Sequence, residues 1–416
     1  MKIPFFLIPL ISTVHAQGPL VPSGPPGPTQ KSLQEIWDRI GGLETLVVDQ
    51  QQQISLLQQQ NTLLLQAGNV ELVWRYETAS TDSPVGPLSL AFSPSGVPAI
   101  AYCDGASGHL KYCSRSTGGW IVTTVDTLAG SLAYPSLAFA PSGKPVIAFH
   151  RDGDAGSGNG LAVATYDGSV WQIANVDEGD TGYRPCLAFS PDGLPHIAYD
   201  DTEDNGIGYA VDAGAGSWTA STIPAPGGRA PSLAFGPEGQ PAIAFQIGSY
   251  SLSLQLARYS AGIWNTEVIV ERDPEGEVTD EFGAVCLGFG PAGLPVITYD
   301  YYDAGGYLFY STMDQNGVWH PTSISTGSDW GFVSSFSFGP TGEPMIGFTV
   351  DNDDGYESNI AFAALHGGLW TSEYLGITLS DKIDSSRAVL SLAPGGQPAI
   401  AFSNGSVRFA EKGPYR

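Results

Sequence analysis

Residues 89–102 read SLAFSPSGVPAIAY. Two short apolar runs flank a Pro-Ser-Gly turn, which is the pattern of a tight antiparallel hairpin. Gly96 supplies the turn position that needs unusual backbone angles, and Pro98 opens the second strand where no ladder donor is missed. The phrase recurs along the chain in the form S-L-A-F-x-P-x-G-x-P-x-I-A-[YF]. Its first proline falls at Pro94, Pro141, Pro191, Pro237, Pro291, Pro340 and Pro394, a period of about 50 residues. Each phrase is followed by a third strand, such as residues 110–113, then by a Gly-containing turn and a fourth strand that opens with Trp. Four strands per repeat make a propeller blade.

The tryptophans predict how the ring closes. Trp120, Trp171, Trp218, Trp264, Trp319 and Trp370 follow the first six phrases, while the seventh phrase ends at residues 407–410 with no strand left. Val73-Trp74-Arg75-Tyr76-Glu77, ahead of the first phrase, has the look of the missing strand. The expected fold class is therefore all-β: a seven-bladed β-propeller over residues 70–416, closed by its N-terminal strand so that no edge between the termini stays unpaired.

Composition agrees with this class. Gly 53 and Pro 31 in 416 residues, with 42% hydrophobic, 11% aromatic and 14% charged residues, describe a turn-rich β protein. The formal net charge of −25 opposes phosphate backbones and anionic bilayers, and excludes nucleic acid as a partner.

Three segments precede the propeller. Residues 1–16 carry Lys2, an apolar run and Val14-His15-Ala16, the plan of a cleaved secretory signal peptide. A secreted protein, extracellular or at the cell surface, is expected. Residues 17–30 are a Pro-rich spacer with a faint echo of collagen triplets, too few and too imperfect to hold a triple helix. Over residues 31–67 the spacing of Leu33, Ile36, Ile40, Leu43, Val47, Gln50, Ile54, Leu57, Asn61 and Leu64 alternates three and four, a heptad seam that predicts a coiled-coil stalk. β-branched a positions, Leu at d and one buried Asn favour a parallel dimer, and Gln50 at a d position leaves a trimer open. The expected partner is thus a second or third copy of the chain.

The chain resembles a group of predicted secreted bacterial proteins that combine a signal peptide, a short coiled coil and propeller repeats of this type; Ser136-Leu137-Ala138-Phe139-Ala140-Pro141 with Pro145-Val146-Ile147-Ala148-Phe149 is a representative pair. The resemblance covers nearly the whole chain, implies architecture, and brings no catalytic residues with it.

Chemistry-bearing motifs are sparse. No Ser-His-Asp or Cys-His arrangement stands out among the six His and four Cys. Asp201-Thr202-Glu203-Asp204-Asn205-Gly206 matches the first half of a calcium loop, which makes Asp201, Glu203 and Asn205 candidate Ca²⁺ ligands. An intervening strand over residues 207–211 should carry Asp212 about 15 Å away from them. No other cofactor is called for. Cys103 and Cys113 lie on consecutive strands, so a cross-strand disulfide is one expectation. Cys186 and Cys286 stand where other blades have Ser89, Ser136 and Ser232.

These readings lead to a non-enzymatic recognition or adhesion protein, with a glycan or protein ligand. The alternatives are a propeller hydrolase or lyase, with or without Ca²⁺, and a structural envelope component. The loops between second and third strands and the links between blades share one face, which gathers the larger share of the 42 acidic residues. Tyr183, Arg184, Trp330, His150, Asp200 and Asp300 are the candidate ligand-binding residues there. The aromatics would stack and the carboxylates accept hydrogen bonds.

Overall fold

The computed structural model describes residues 72–414, apart from 131–132, 153–158, 215, 249–252, 272–280, 303–306, 325–329, 352–357 and 380–387. The signal peptide, spacer and stalk expected over residues 1–67 lie outside the described residues.

The described chain is all-β, in seven four-stranded antiparallel sheets. After β1 (Leu72–Ser80), blade 1 holds β2 (Pro84–Phe92), β3 (Pro98–Asp104), β4 (Leu110–Ser116) and β5 (Gly119–Asp126). Blade 2 holds β6 (Ser136–Phe139), β7 (Pro145–Arg151), β8 (Gly160–Tyr166) and β9 (Trp171–Glu178). Blade 3 holds β10 (Thr181–Phe189), β11 (Pro195–Asp201), β12 (Gly206–Asp212) and β13 (Trp218–Ile223). Blade 4 holds β14 (Gly228–Phe235), β15 (Pro241–Ile247), β16 (Ser253–Ser260) and β17 (Ile263–Glu271). Blade 5 holds β18 (Glu281–Phe289), β19 (Pro295–Tyr302), β20 (Tyr307–Met313) and β21 (Trp319–Ile324). Blade 6 holds β22 (Trp330–Phe338), β23 (Pro344–Asp351), β24 (Ser358–His366) and β25 (Leu369–Leu379). Blade 7 has β26 (Val389–Leu392), β27 (Pro398–Ser403) and β28 (Val407–Pro414), and its sheet order is β1-β28-β27-β26. β1 pairs antiparallel with β28 from Leu72↔Pro414 to Ser80↔Val407, with an irregularity between Thr78 and Ser80.

Each repeated phrase forms the same hairpin. In blade 1 the Gly96 N–H donates to Ser93 O at 2.8 Å and the Ser93 N–H to Val97 O at 2.9 Å, with Gly96 at φ 81°. Gly143, Gly193, Gly239, Gly293, Gly342 and Gly396 repeat both the bond and the left-handed φ. This is a type I turn with Pro at its second position, followed by a glycine bulge.

Blades are joined by two recurrent contacts. On the inner strands, the serine that opens the phrase accepts a backbone N–H from the next blade: Leu137 to Ser89, Leu187 to Ser136 and Leu287 to Ser232, each at 2.9 Å. The Cys186 sulfur accepts from the Leu233 N–H at 3.3 Å in the same place. Cysteine stands there because a polar acceptor is needed, not only a small side chain. On the outer strands, five of the Trp residues pack on an aromatic of the preceding blade's third strand. Three of the pairs are Trp171 with Tyr112, Trp264 with Tyr209 and Trp370 with Tyr310, with centroids 5.0–5.3 Å apart. Trp74 on β1 meets Phe362 of blade 6 at 5.6 Å, and Trp120 meets Phe409 of blade 7 at 5.2 Å. Between the blades lie buried clusters built from the alternating apolar residues of facing sheets.

Cys103 and Cys113 form no disulfide. Cys103 pairs with Leu110 and Cys113 with Ile100, so the two are three positions out of register. Cys103 therefore packs toward blade 2 and Cys113 toward blade 7. The expected cross-strand bridge is corrected on this ground: odd offsets point to opposite faces of a sheet.

Candidate functional site

The second strand of every blade ends in the same environment. The residue after the phrase's aromatic is Cys103, His150, Asp200, Gln246, Asp300, Thr349 or Ser403, and all seven are between 1% and 8% exposed. Six of them are polar. Their burial follows from position, because the next blade's inner strand starts beside them and brings backbone groups that need partners. His150 Nδ1 lies 2.9 Å from Thr181 O, and Asp200 Oδ1 accepts the Ala230 N–H at 2.6 Å. Burial pushes the Cys103 thiol up to about 11 and raises the Asp200 carboxyl above the usual carboxylate range, against the opposing pull of Arg184. His150, Asp200 and Asp300, expected as ligand contacts, thus belong to an inter-blade ring.

Blades 2 to 4 enter that ring through a strained kink. Tyr134-Pro135-Ser136, Arg184-Pro185-Cys186 and Ala230-Pro231-Ser232 share one layout, and Tyr134, Arg184 and Ala230 have φ of 45°, 47° and 50°. A left-handed backbone costs a non-glycine residue about 1–2 kcal/mol, and such strain gathers at sites held by their surroundings. Here it aims side chains at the mouth of the ring. Arg184 places one guanidinium nitrogen 2.6 Å from Asp200 Oδ2, and its carbon lies 5.6 Å from the centre of the Tyr134 ring. Tyr183 stacks on His150 with centroids 3.9 Å apart and planes 20° from parallel. The Tyr183 hydroxyl donates to Asp180 at 3.1 Å, and burial followed by Asp180 raises its pKa. His150 Nε2 is 3.3 Å from Asp152 Oδ1.

Between blades 3 and 4 this mouth opens into a pocket of about 240 Å³. Arg184, Asp200, Asp201, Asn205, Gly228 and Arg229 are among its lining residues. Asp201 is buried and committed, accepting the Asp204 N–H at 3.1 Å and the Thr222 hydroxyl at 3.0 Å. Arg229 is half-buried, and its side chain has no ion pair or hydrogen bond among the described residues. Its charge acts on Asp200 from a distance.

The structure thus brings together Tyr183, Arg184, His150 and Asp200. Asp300 occupies the equivalent ring position in blade 5, and the Trp330 side chain lies outside the described residues. Asp201, Glu203 and Asn205 do not converge. Asp201 is buried at a strand end while Glu203 and Asn205 are exposed in the turn, and among the described residues no group of three acidic, His or Cys side chains is arranged to hold a metal ion. Arg229 is not among the residues expected from the sequence. The signal that would have found it is the repeated x-Pro-[Ser/Cys] tripeptide, which marks the kinks and places Arg229 next to the third of them.

No family model matches the chain, and no curated protein matches its sequence. Among solved structures, the fold is similar to a catalytically inactive virginiamycin B lyase from Staphylococcus aureus with quinupristin, at TM-score 0.54 and 13% identity over 82% of this chain and 99% of that one. An ulvan lyase of a new polysaccharide lyase family gives TM-score 0.44 and 14% identity over 79% of this chain and 81% of that one. The Aleuria aurantia lectin in complex with Fucα1-6GlcNAc gives 0.43 and 14% over 70% and 96%. The first likeness speaks for a shared propeller fold. Lyases and a lectin both occur among these structures, so they do not decide whether this chain is an enzyme.

Proposed function

We propose that this chain is an extracellular, non-enzymatic recognition protein that binds a glycan or protein ligand at the ring mouth over blades 2 to 4. One observation carries the reading: the carboxylates of Asp200 and Asp201 and the His150 imidazole are buried and already bonded within the protein. Both oxygens of Asp200 are taken by Arg184 and the Ala230 N–H, and both of Asp201 by the Asp204 N–H and Thr222. Both ring nitrogens of His150 face oxygens. A general base or a metal ligand needs a lone pair free to meet substrate or ion. Committed groups instead make a rigid frame, which suits binding without a large ordering cost.

In this reading residues 1–16 direct export, residues 31–67 join copies into a dimer or trimer, and β1 latches the ring shut beside β28. A stalk that presents several propellers would add avidity to a weak single site. The test is a glycan array probed with the secreted protein, with and without EDTA, and mass spectrometry of the bound sugars. Binding unaffected by EDTA and sugars recovered intact are expected. Cleaved or eliminated products would make the chain a hydrolase or lyase, and loss of binding in EDTA would restore a cation at the acidic loops.

A further inference from the structure

We infer that the pocket between blades 3 and 4 recognises a carboxylate-bearing sugar through Arg229, an assignment that rests on the recognition reading above. Asp200 and Asp201 are buried, and each of their oxygens already accepts a bond from the protein, whereas the arginines of the pocket keep donors free. Arg184 turns one nitrogen to Asp200 while its side chain stays 46% exposed, which leaves further N–H groups at the pocket. Arg229 has every donor uncommitted among the described residues and is half-buried in the wall.

A guanidinium partly withdrawn from water and without an acceptor is incompletely satisfied. Its planar fork of N–H groups matches a carboxylate in bidentate fashion. The other charges do not cancel this preference. Asp200 is matched by Arg184, and Asp201 receives two hydrogen bonds that compensate its charge in part. Size limits the occupant: about 240 Å³ is below the roughly 300 Å³ at which sites for drug-sized ligands begin, which suits one sugar ring. The lining is polar or glycine, which suits a hydroxylated ligand more than an apolar one. A uronate ring fits these terms, with its carboxylate on Arg229 and its hydroxyl oxygens accepting from Arg184 and Asn205.

The experiment is calorimetric titration of the full secreted chain with tetragalacturonate and with its methyl ester, the same sugars without charge, and with sialyllactose against lactose. At least one acidic probe should bind about tenfold or more tightly than its neutral partner, the range expected for a charged hydrogen bond. Arg229→Gln should remove that preference with at most a small drop in melting temperature, because the Arg229 side chain makes no ion pair or hydrogen bond among the described residues and supports Asp200 only at a distance. Arg229→Lys should recover part of it, since charge returns without the fork. Arg184→Gln is unsuitable, because it strands the buried Asp200. Equal binding of acid and neutral probes, or an undiminished preference in Arg229→Gln, overturns the assignment and leaves recognition standing. Failure of both acidic probes also overturns it. An array on which no glycan of any kind binds overturns the glycan reading together with it.

Discussion

Ser311 occupies a site at which the other blades present Ala164, Ala210, Ala257, Ala363 and Ala410, or Cys113, opposite the isoleucine of the phrase. It is fully buried, and its hydroxyl finds no partner among the described residues. An unmade buried hydrogen bond costs about 1–3 kcal/mol, so Ser311→Ala should raise stability by about 1 kcal/mol in chemical denaturation. A loss instead would show that the hydroxyl has a partner. Asp104 is the opposite case. The Ser107 hydroxyl at 2.5 Å holds its carboxyl below the ordinary 3.8, against burial and with help from the Ala106 N–H and Lys111. A carboxyl with a lowered folded pKa stabilises above its unfolded value, and that contribution fades as pH falls through the folded one. Ser107→Ala should therefore cost about 1 kcal/mol at pH 7. Melting temperatures of the two proteins should converge below pH 3.8, and a gap constant from pH 7 to pH 2 would reject this role.

At the scale of the element, β1 carries the contacts that the sixfold-repeated outer strands carry elsewhere. Trp74 packs on Phe362 and donates its Nε1–H to Glu373 at 3.1 Å, and Glu77 accepts the Trp120 Nε1–H at 2.7 Å. Arg115 of β4 spans the other seam, reaching Glu77 at 3.1 Å and Glu411 at 2.8 Å. These groups are partly exposed, so the ion pairs add little and the aromatic packing dominates. Trp74→Ala should lower stability by about 2 kcal/mol or more. Trp74→Phe should recover most of that by keeping the ring while losing the N–H. A Trp74→Ala protein with an unchanged denaturation midpoint would mean that β1 adds nothing to blade 7.

At the scale of the whole molecule, two expectations separate the propeller from what precedes it. Deleting residues 1–68 should leave a folded monomer, whereas deleting residues 1–81 removes β1 and exposes the edge of β28 to other chains. The longer deletion should aggregate or lose much of its thermal stability, and equal melting temperatures would count against closure through β1. Oligomerisation should reside in residues 33–64. Ile40→Asp combined with Ile54→Asp places charges in the seam and should give monomers by light scattering; a persisting oligomer would move the interface to the propeller.

The hairpins, the blade period and the tryptophan that opens each outer strand were legible in the sequence alone, because each depends on residues within a few positions of one another. Pro94 and Gly96 specify their turn wherever the chain goes, and alternation sets which residues of β3 face a core. The kinks at Tyr134, Arg184 and Ala230 were legible in principle, as a tripeptide repeated in three blades. Other features needed the ring itself. Cys103 and Cys113 look bridgeable along the chain, but the register across residues 105–109 sends them to different cores. His150 and Asp200 look like exposed strand-end groups, yet the next blade covers them. The pocket joins Arg184 and Asp200 of blade 3 to Arg229 of blade 4, and which donors remain unspent there depends on hydrogen bonds between chain segments tens of residues apart. Local chemistry settles turns and strands, but burial and the pairing of charges are set by neighbours that only closure of the propeller brings into contact.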